Sequence, residues 1–424
     1  MLSVIAFGVA WWLGLYLLAR GPAKPTLRRA GIGLIGYALA LATDGLGNDL
    51  LTAVLLCLPA VFWTGVLVAL LPDRPAIDRW WRFAILPASL VVAVASAFTS
   101  EIVVVVAVAP LFWALGLLLR HRAEIRQDAA FGVLVVALLM FGLTLALVLV
   151  GFDVVTRELL LAGIGVDLAL LGGCVAVFDA FDEGETIRRD MLWSLAVAGG
   201  TAVLFGSQVA LAMLVAGDLD LLLYGVVAAA IAVQVLARPI NALADRFAFP
   251  PDLRRERGEL RDVAAALPRR DDTLALAALD EAEFVRLTRR ALSNYGDLGK
   301  LVSSPLAALP AIDARLAARG AAGAPLERAT ELKALLLDTI VRLKPRDGDF
   351  GTSEEWRHYN ALYFYYVVGV RPYSVRTKVT ELDPVARRAL AWFADHVPER
   401  TLHNWQAAAA RIVAAELRAS VSHA

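Results

Sequence analysis

Cysteine and histidine are scarce in this 424-residue sequence, with two and five residues respectively. Cys57 and Cys174 both fall inside apolar segments, so neither a disulfide framework nor a metal or redox spacing is available. The histidines are His121, His358, His396, His403 and His423, and 239–350 contains none. No glycine-rich nucleotide lid occurs; "ARGAAGAP" (318–325) reads as a small-residue loop between helices. With no nucleophile–base pair, metal-ligand cluster or phosphate loop, no enzyme activity, cofactor or metal is expected. Net charge is also lacking, at 41 basic against 41 acidic residues. Strand-like alternation does not persist beyond a few residues, so the fold class is all-α.

What is abundant is apolar sequence: 59% of residues, with a mean hydropathy of +0.63. Its distribution is uneven. Residues 1–237 hold 13 of the 41 Lys and Arg, and 238–424 hold 28. Three regions follow: an apolar bundle (1–237), a juxtamembrane linker helix (238–272) and a cytoplasmic helical domain (273–424). The apolar runs are about 17–25 residues long, enough to cross a hydrocarbon core of ~30 Å. They predict nine spans near 1–19, 30–45, 50–71, 83–100, 102–119, 129–151, 159–178, 191–216 and 221–237. A signal peptide is the rival reading of the first run, but it has no basic lead, and its first positive residue, Arg20, comes after the apolar stretch.

Loop charge supplies an orientation. Alternate loops carry Arg20, Lys24, Arg28 and Arg29; Arg74, Arg79 and Arg82; Arg120, Arg122 and Arg126; Arg188 and Arg189. The intervening loops hold only Arg157. Twelve against one places the N-terminus outside and everything after Arg238 in the cytoplasm, at a cell inner (plasma) membrane. Trp11, Trp12, Trp63, Trp80, Trp81 and Trp113 sit mostly near span ends and read as interfacial anchors.

Polar residues inside spans are costly in lipid. Asp167 in "LLLAGIGVDLALLGG", with Ser207 and Gln208 in the eighth span, forms a candidate intramembrane polar site for a ligand or proton. Interhelical hydrogen bonding, also available to Gln234, is the alternative. No pair of Gly/Pro-broken helices repeats across two halves, so the usual transporter signature is missing.

The stretches "DAFDEGETIRRDMLWSLAVAGGTAVLFG" (179–206) and "QVLARPINALADRFAFPPDL" (234–253) resemble the multi-span sensor region of some bacterial histidine kinases. The matching residues are Phe181, Asp182, Ile187, Arg188 and Arg189, then Arg238, Pro239, Asp245, Arg246 and Phe249, with Phe247 as the alternative aromatic. The resemblance implies a signal-coupling exit, in which Pro239 interrupts the helix and redirects the chain. Arg238 and Arg246 would reach lipid phosphates while Asp245 pairs locally. No kinase follows, because 239–350 offers no phospho-acceptor histidine.

In the charged half, 250–272 mixes Arg254, Arg255, Arg257 and Arg261 with Glu256, Glu259 and Asp262. It reads as a solvated linker helix, with a lipid-binding patch as the alternative. Phe284, Val285, Leu287 and Leu292 share one helix face, and Leu332, Leu335, Leu336 and Leu337 another. "DGDFGTS" offers Thr352 or Ser353 as an N-cap before a helix crowded with Trp356, Tyr359, Tyr363, Phe364, Tyr365 and Tyr366. That aromatic stripe is expected to be core.

These pieces, in order, resemble a helical module of bacterial regulators. Its marks are Phe284, Val285, Ala291, Leu292 and Tyr295; Pro305 and Leu306; Leu326 to Ala329; Trp356, Tyr359, Asn360, Leu362, Tyr363, Tyr366, Val367 and Gly369; and Glu399, Arg400, Thr401 and Trp405. The resemblance implies a terminal helix-turn-helix like those of sigma-factor DNA-binding regions, over 383–418. Asp383 is expected to cap one helix, with Pro384 at its first position, and Pro398 to start the next. Ala389, Leu390, Trp392 and Phe393 would face inward with Leu402, Trp405, Ala409 and Ile412. Arg400, Thr401, His403, Asn404 and Gln406 would then meet base edges, since Arg suits guanine and Asn or Gln suits adenine.

Residues 371–424 hold eight Lys/Arg against five Asp/Glu. A surplus of three is small for a monomer facing phosphates, so DNA binding is expected to be weak or to need a homodimer. The leading expectation is a one-component membrane receptor that regulates transcription. The alternatives are an adaptor docking a cytoplasmic protein partner, or a transporter using Asp167 and Gln208.

Overall fold

The computed structural model describes residues 2–45, 47, 49–71, 75–95, 100–121, 129–150, 156–183, 188–216, 219–250, 279–345, 348–373 and 382–422, with isolated positions between 253 and 276. Among these it is all-helical. The chain divides into two compact units, Met1–Asp179 with Asp190–Phe247, and Ala180–Arg189 with Ala248–Ala424.

The helices of the apolar half are α1 (Leu2–Arg20), α2 (Pro25–Gly45), α3 (Asp49–Leu70), α4 (Pro75–Trp80), α5 (Leu86–Ala95), α6 (Ser100–Arg120), α7 (Ala129–Val150), α8 (Arg157–Glu183), α9 (Arg188–Ala216), α10 (Asp220–Val235) and α11 (Ala237–Ala248). A π-helical turn, Trp81–Ile85, joins α4 to α5. Among the described residues, five segments are long and apolar enough to cross a bilayer: Leu2–Arg20, Leu51–Leu70, Phe131–Val150, Arg157–Asp179 and Asp190–Leu214. The pair α10–α11 passes only together and is bent by 71°. Of the nine expected spans, five stand as such helices among the described residues, or six if the bent pair is counted as one span. Arg28, Arg29, Asp44 and several glycines make α2 more polar than its neighbours.

Helix α9 exposes Leu192, Trp193, Val203, Leu204, Leu211 and Leu214. An apolar surface of that extent suits hydrocarbon rather than water. Close packing inside the bundle depends on small residues. A Cβ at Gly31 would lie 2.8 Å from the Gly14 carbonyl oxygen, so α1 and α2 approach to backbone contact, as membrane helices with small interfaces do. The tryptophans correct the anchor expectation in part. Trp12, Trp63 and Trp81 are buried, whereas Trp80 and Trp113 are exposed. Trp81 is drawn inward by Gly65, by a hydrogen bond from its indole to the Val61 carbonyl (3.2 Å) and by the Arg29 guanidinium 4.0 Å above its ring.

Charges meet at one end of this bundle. Arg20 Nε donates to Asp179 at 3.1 Å, and Arg20 Nη1 faces Asp190 at 3.5 Å. Lys24 pairs with Asp179, and the Tyr16 hydroxyl donates to Asp190 at 2.7 Å. The Arg20 and Asp179 side chains are 2% and 7% exposed. The cluster fastens the end of α1 to the end of α8 and the start of α9.

The second unit contains α12 (Glu281–Ser293), α13 (Leu298–Val302), α14 (Pro310–Ala318), α15 (Pro325–Arg342), α16 (Arg357–Leu362), α17 (Pro384–His396) and α18 (Glu399–Ser422). Caps define their starts. Asp280 accepts from Glu283 N at 2.6 Å, and Asp297 from Lys300 N at 3.0 Å. The Glu327 carboxylate accepts from Ala324 N at 2.9 Å behind Pro325. The expected apolar faces are core: Phe284, Leu287 and Leu292; Leu332, Leu335 and Leu336; Phe393, Leu402 and Ala409. Helix α18 packs against α12, α14, α15 and α16. Ile412, expected inside, is 41% exposed, at the edge of the buried face formed by Ala409, Ala410 and Val413.

Asp179→Leu should destabilise the protein by roughly 3 kcal/mol, because it removes the nearer of the two carboxylates that face the buried Arg20 charge. The double change Arg20→Met with Asp179→Leu should recover more than half of that loss. Denaturant titration of the full chain in micelles, comparing the two variants, checks this.

Candidate functional site

The terminal pair of helices is built by its caps. Asp383 accepts from Ala386 N at 2.7 Å and Pro384 opens α17. Val397 then extends the chain, and the Tyr373 hydroxyl donates to its carbonyl at 2.5 Å. The Pro398 carbonyl accepts from Thr401 N (2.9 Å) and Leu402 N (3.1 Å), launching α18. Trp392 and Trp405 stack with centroids 6.0 Å apart.

On α18, Arg400, His403 and Asn404 are exposed and Thr401 is half-buried. Gln406 does not join them. It is 2% exposed, lying four residues after buried Leu402 and three before buried Ala409, so helical register turns it inward. Its carbonyl oxygen sits 3.2 Å from His403 Nδ1, while its amide nitrogen is buried with no hydrogen-bond partner.

Gln406 and His403 help line a cavity of about 430 Å³, together with Arg286, Arg289, Arg290, Ser293, Tyr365, Tyr366 and Arg371. Three elements supply the new residues. On α12, Arg286, Arg289, Arg290 and Ser293 follow the i, i+3, i+4, i+7 rhythm of one helix face, opposite the face of Phe284, Leu287, Ala291 and Leu292. The aromatic segment runs from a 3₁₀ turn after Ser353 through α16 into a π-helical turn at Tyr363–Val367. A π turn inserts one residue into the helical register, so Phe364 stays in the core while Tyr365 and Tyr366 are only half-buried. Gly369, at φ +85°, then reverses the chain, and Val370 N donates to the Phe364 carbonyl at 2.8 Å. The reversal sets the Arg371 guanidinium 4.2 Å above the Tyr365 ring. Burial raises the Tyr366 phenol above its ordinary range, with Arg289 and Arg371 pulling it back.

The aromatic stripe expected to be core is so only in part, and the arginines of "FVRLTRRALS" are not among the site residues expected from the sequence. Their spacing was the available signal. Trp356, Tyr359 and Phe364 are indeed buried.

The exit motif spans a bend. Helix α10 ends at Val235, Leu236 breaks it, and Pro239 lies in the first turn of α11. Asp245 is buried, whereas Arg238, Pro239 and Arg246 are exposed. Ile240, Leu243 and Phe247 form an exposed apolar edge at i, i+3 and i+7. The side chains of Phe181, Asp182, Ile187, Arg188 and Arg189, and most of 250–272, lie outside the described residues.

The intramembrane candidates are not brought together in one pocket. Asp167 on α8 is half-buried, and Ser207 and Gln208 on α9 are exposed. Ser207 donates to the Leu204 carbonyl of its own helix at 3.0 Å. It lines an apolar cavity of about 410 Å³ among α1, α9 and α10, whose walls include neither Asp167 nor Gln208. No family model, curated protein or solved structure matches this chain.

Gly369→Ala should cost roughly 1–2 kcal/mol, since its added Cβ meets open space and only the left-handed backbone is penalised. Thermal unfolding of the full chain should register that loss. An unchanged midpoint would show that the turn is not held at positive φ.

Proposed function

We propose that this protein is a membrane-embedded regulator whose charged unit lies in the cytoplasm and reads DNA with the first two turns of α18. The observation that carries the reading is the exposure of Arg400, His403 and Asn404 on a helix fixed by its own core contacts. Base recognition needs such side chains on a rigid support, with Arg suited to guanine and Asn to adenine. Thr401, half-buried, is the fourth member of the reading set. Gln406 is excluded from it by burial.

The membrane half of the proposal is a bundle of up to nine spans with its N-terminus outside. Twelve basic residues in alternate loops, against Arg157 alone in the others, support that orientation. The 71° bend before α11, with its apolar edge of Ile240, Leu243 and Phe247, supports an exit helix lying along the lipid interface. Arg238 and Arg246 then reach lipid phosphates, and a shift in the bundle is passed to the unit that follows.

A second reading, docking of a protein partner by the same terminal pair, is favoured by one observation: the loss of Gln406 leaves a smaller set for base contacts. The two readings separate on DNA from the protein's own promoter region, titrated with the full chain in lipid nanodiscs. Regulation predicts sequence-selective binding that falls steeply with salt. Arg400→Ala should then weaken it about tenfold, within the roughly 1–3 kcal/mol of one bidentate base contact. No selective binding at low salt would sink the DNA reading and leave the docking surface.

A further inference from the structure

We infer that the cavity between α12, the π-helical turn and α18 is a binding site for a nucleotide-sized phosphorylated ligand. Its walls carry four arginines, from two separate stretches of chain, and two tyrosines. A planar guanidinium offers a fork of donors matched to phosphate oxygens, and several around one hollow suit a ligand with more than one phosphate. The volume of about 430 Å³ lies within the ~300–1,000 Å³ typical of small-molecule sites.

Gln406 points independently to a ligand. Its amide nitrogen is a buried donor without a partner, on a residue 2% exposed that lines the cavity. Leaving such a donor unsatisfied is costly, and native structures rarely tolerate it without a reason. An acceptor on the ligand, a ring carbonyl or a phosphate oxygen, supplies the missing bond. The half-buried Tyr365 and Tyr366 give the site an aromatic wall for a planar ring.

A small molecule fits better than a nucleic-acid duplex or a membrane surface. Those partners are met by protruding elements, whereas the distinguishing donor here sits inside a concavity. Of the proposed DNA-reading residues, His403 also lines the cavity, whereas Arg400, Thr401 and Asn404 do not, so Arg400 separates the two readings.

The test is isothermal titration of the full chain in nanodiscs with ATP, GTP and pyrophosphate, repeated in nanodiscs with and without anionic lipid. The expected result is saturable one-to-one binding of a nucleotide, tighter than pyrophosphate and weakened by salt. Arg289→Gln, at an exposed position, should lower affinity about tenfold, the scale of one charged hydrogen bond. Gln406→Leu should also lower affinity about tenfold while leaving the unfolding midpoint equal or raised, since it removes the unpaired donor. Arg400→Ala should leave nucleotide binding unchanged, whatever it does to DNA.

The proposal is overturned by absence of saturable binding up to millimolar nucleotide, or by affinities that ignore both cavity substitutions. Pyrophosphate binding as tightly as nucleotide would overturn the ring-bearing assignment. Competition by anionic lipid or by duplex DNA that vanishes in Arg289→Gln would reassign the cavity to a headgroup or a polymer phosphate.

Discussion

Burying a charge or a polar group without a partner costs several kcal/mol, and this chain handles that cost differently in its two units. In the apolar bundle, Arg20, Lys24, Asp179, Asp190 and Tyr16 are gathered at one end and pair with one another. The arrangement fixes how α1 meets α8 and α9, because a slip of either helix by one residue would separate the pairs. The hydrocarbon-facing surface of α9 is then free to be almost wholly apolar. In the charged unit, Arg286, Arg289, Arg290 and Arg371 converge on a hollow floored by an unpaired amide. A buried donor without a partner beside a cluster of guanidinium groups is the local feature on which the ligand proposal rests.

Much of the architecture was legible because helices announce themselves by period and by ends. Asp383-Pro384, Pro325 with Glu327, and the stripes of Phe284, Leu287 and Leu292 each gave a start or a face that the structure keeps. The apolar runs likewise mark helices, though fewer of them have spanning length and apolarity than the runs alone suggested. Composition counts hydrophobic residues but does not register how Arg28, Arg29 and glycines dilute α2.

The site was less legible, for three physical reasons. The face of α18 that holds Gln406 is set by Leu402 and Ala409, and a polar residue next to Asn404 gives no sign of which side it takes. The π turn at Tyr363–Val367 shifts register by one residue, so an aromatic run read at a constant 3.6 period assigns Tyr365 and Tyr366 to the core. Arg371 reaches the cavity only because Gly369 adopts a positive φ, which no local pattern in "VVGVRPY" specifies. Trp81 departs from the anchor expectation in a similar way: its burial comes from Gly65 and Arg29, on helices that precede it in the chain.

Helix α18 connects the two proposed roles of the charged unit without a long relay. His403 stands between Arg400 and Asn404 on the exposed turns, and it also lines the cavity beside Gln406. A ligand acceptor bonded to the Gln406 amide nitrogen would bias the rotamer of the same amide whose oxygen sits 3.2 Å from the His403 ring. The side chain placed to sense that change is itself part of the surface proposed to read DNA. Coupling between sites requires that each occupant favour one arrangement of a shared element over another. Here the shared element is a single imidazole–amide contact one turn into the helix, held in place by the Trp392–Trp405 stack and the packing of Leu402. A coupling of this kind would involve rotamers rather than domain movements, and so would not require the membrane bundle to change shape.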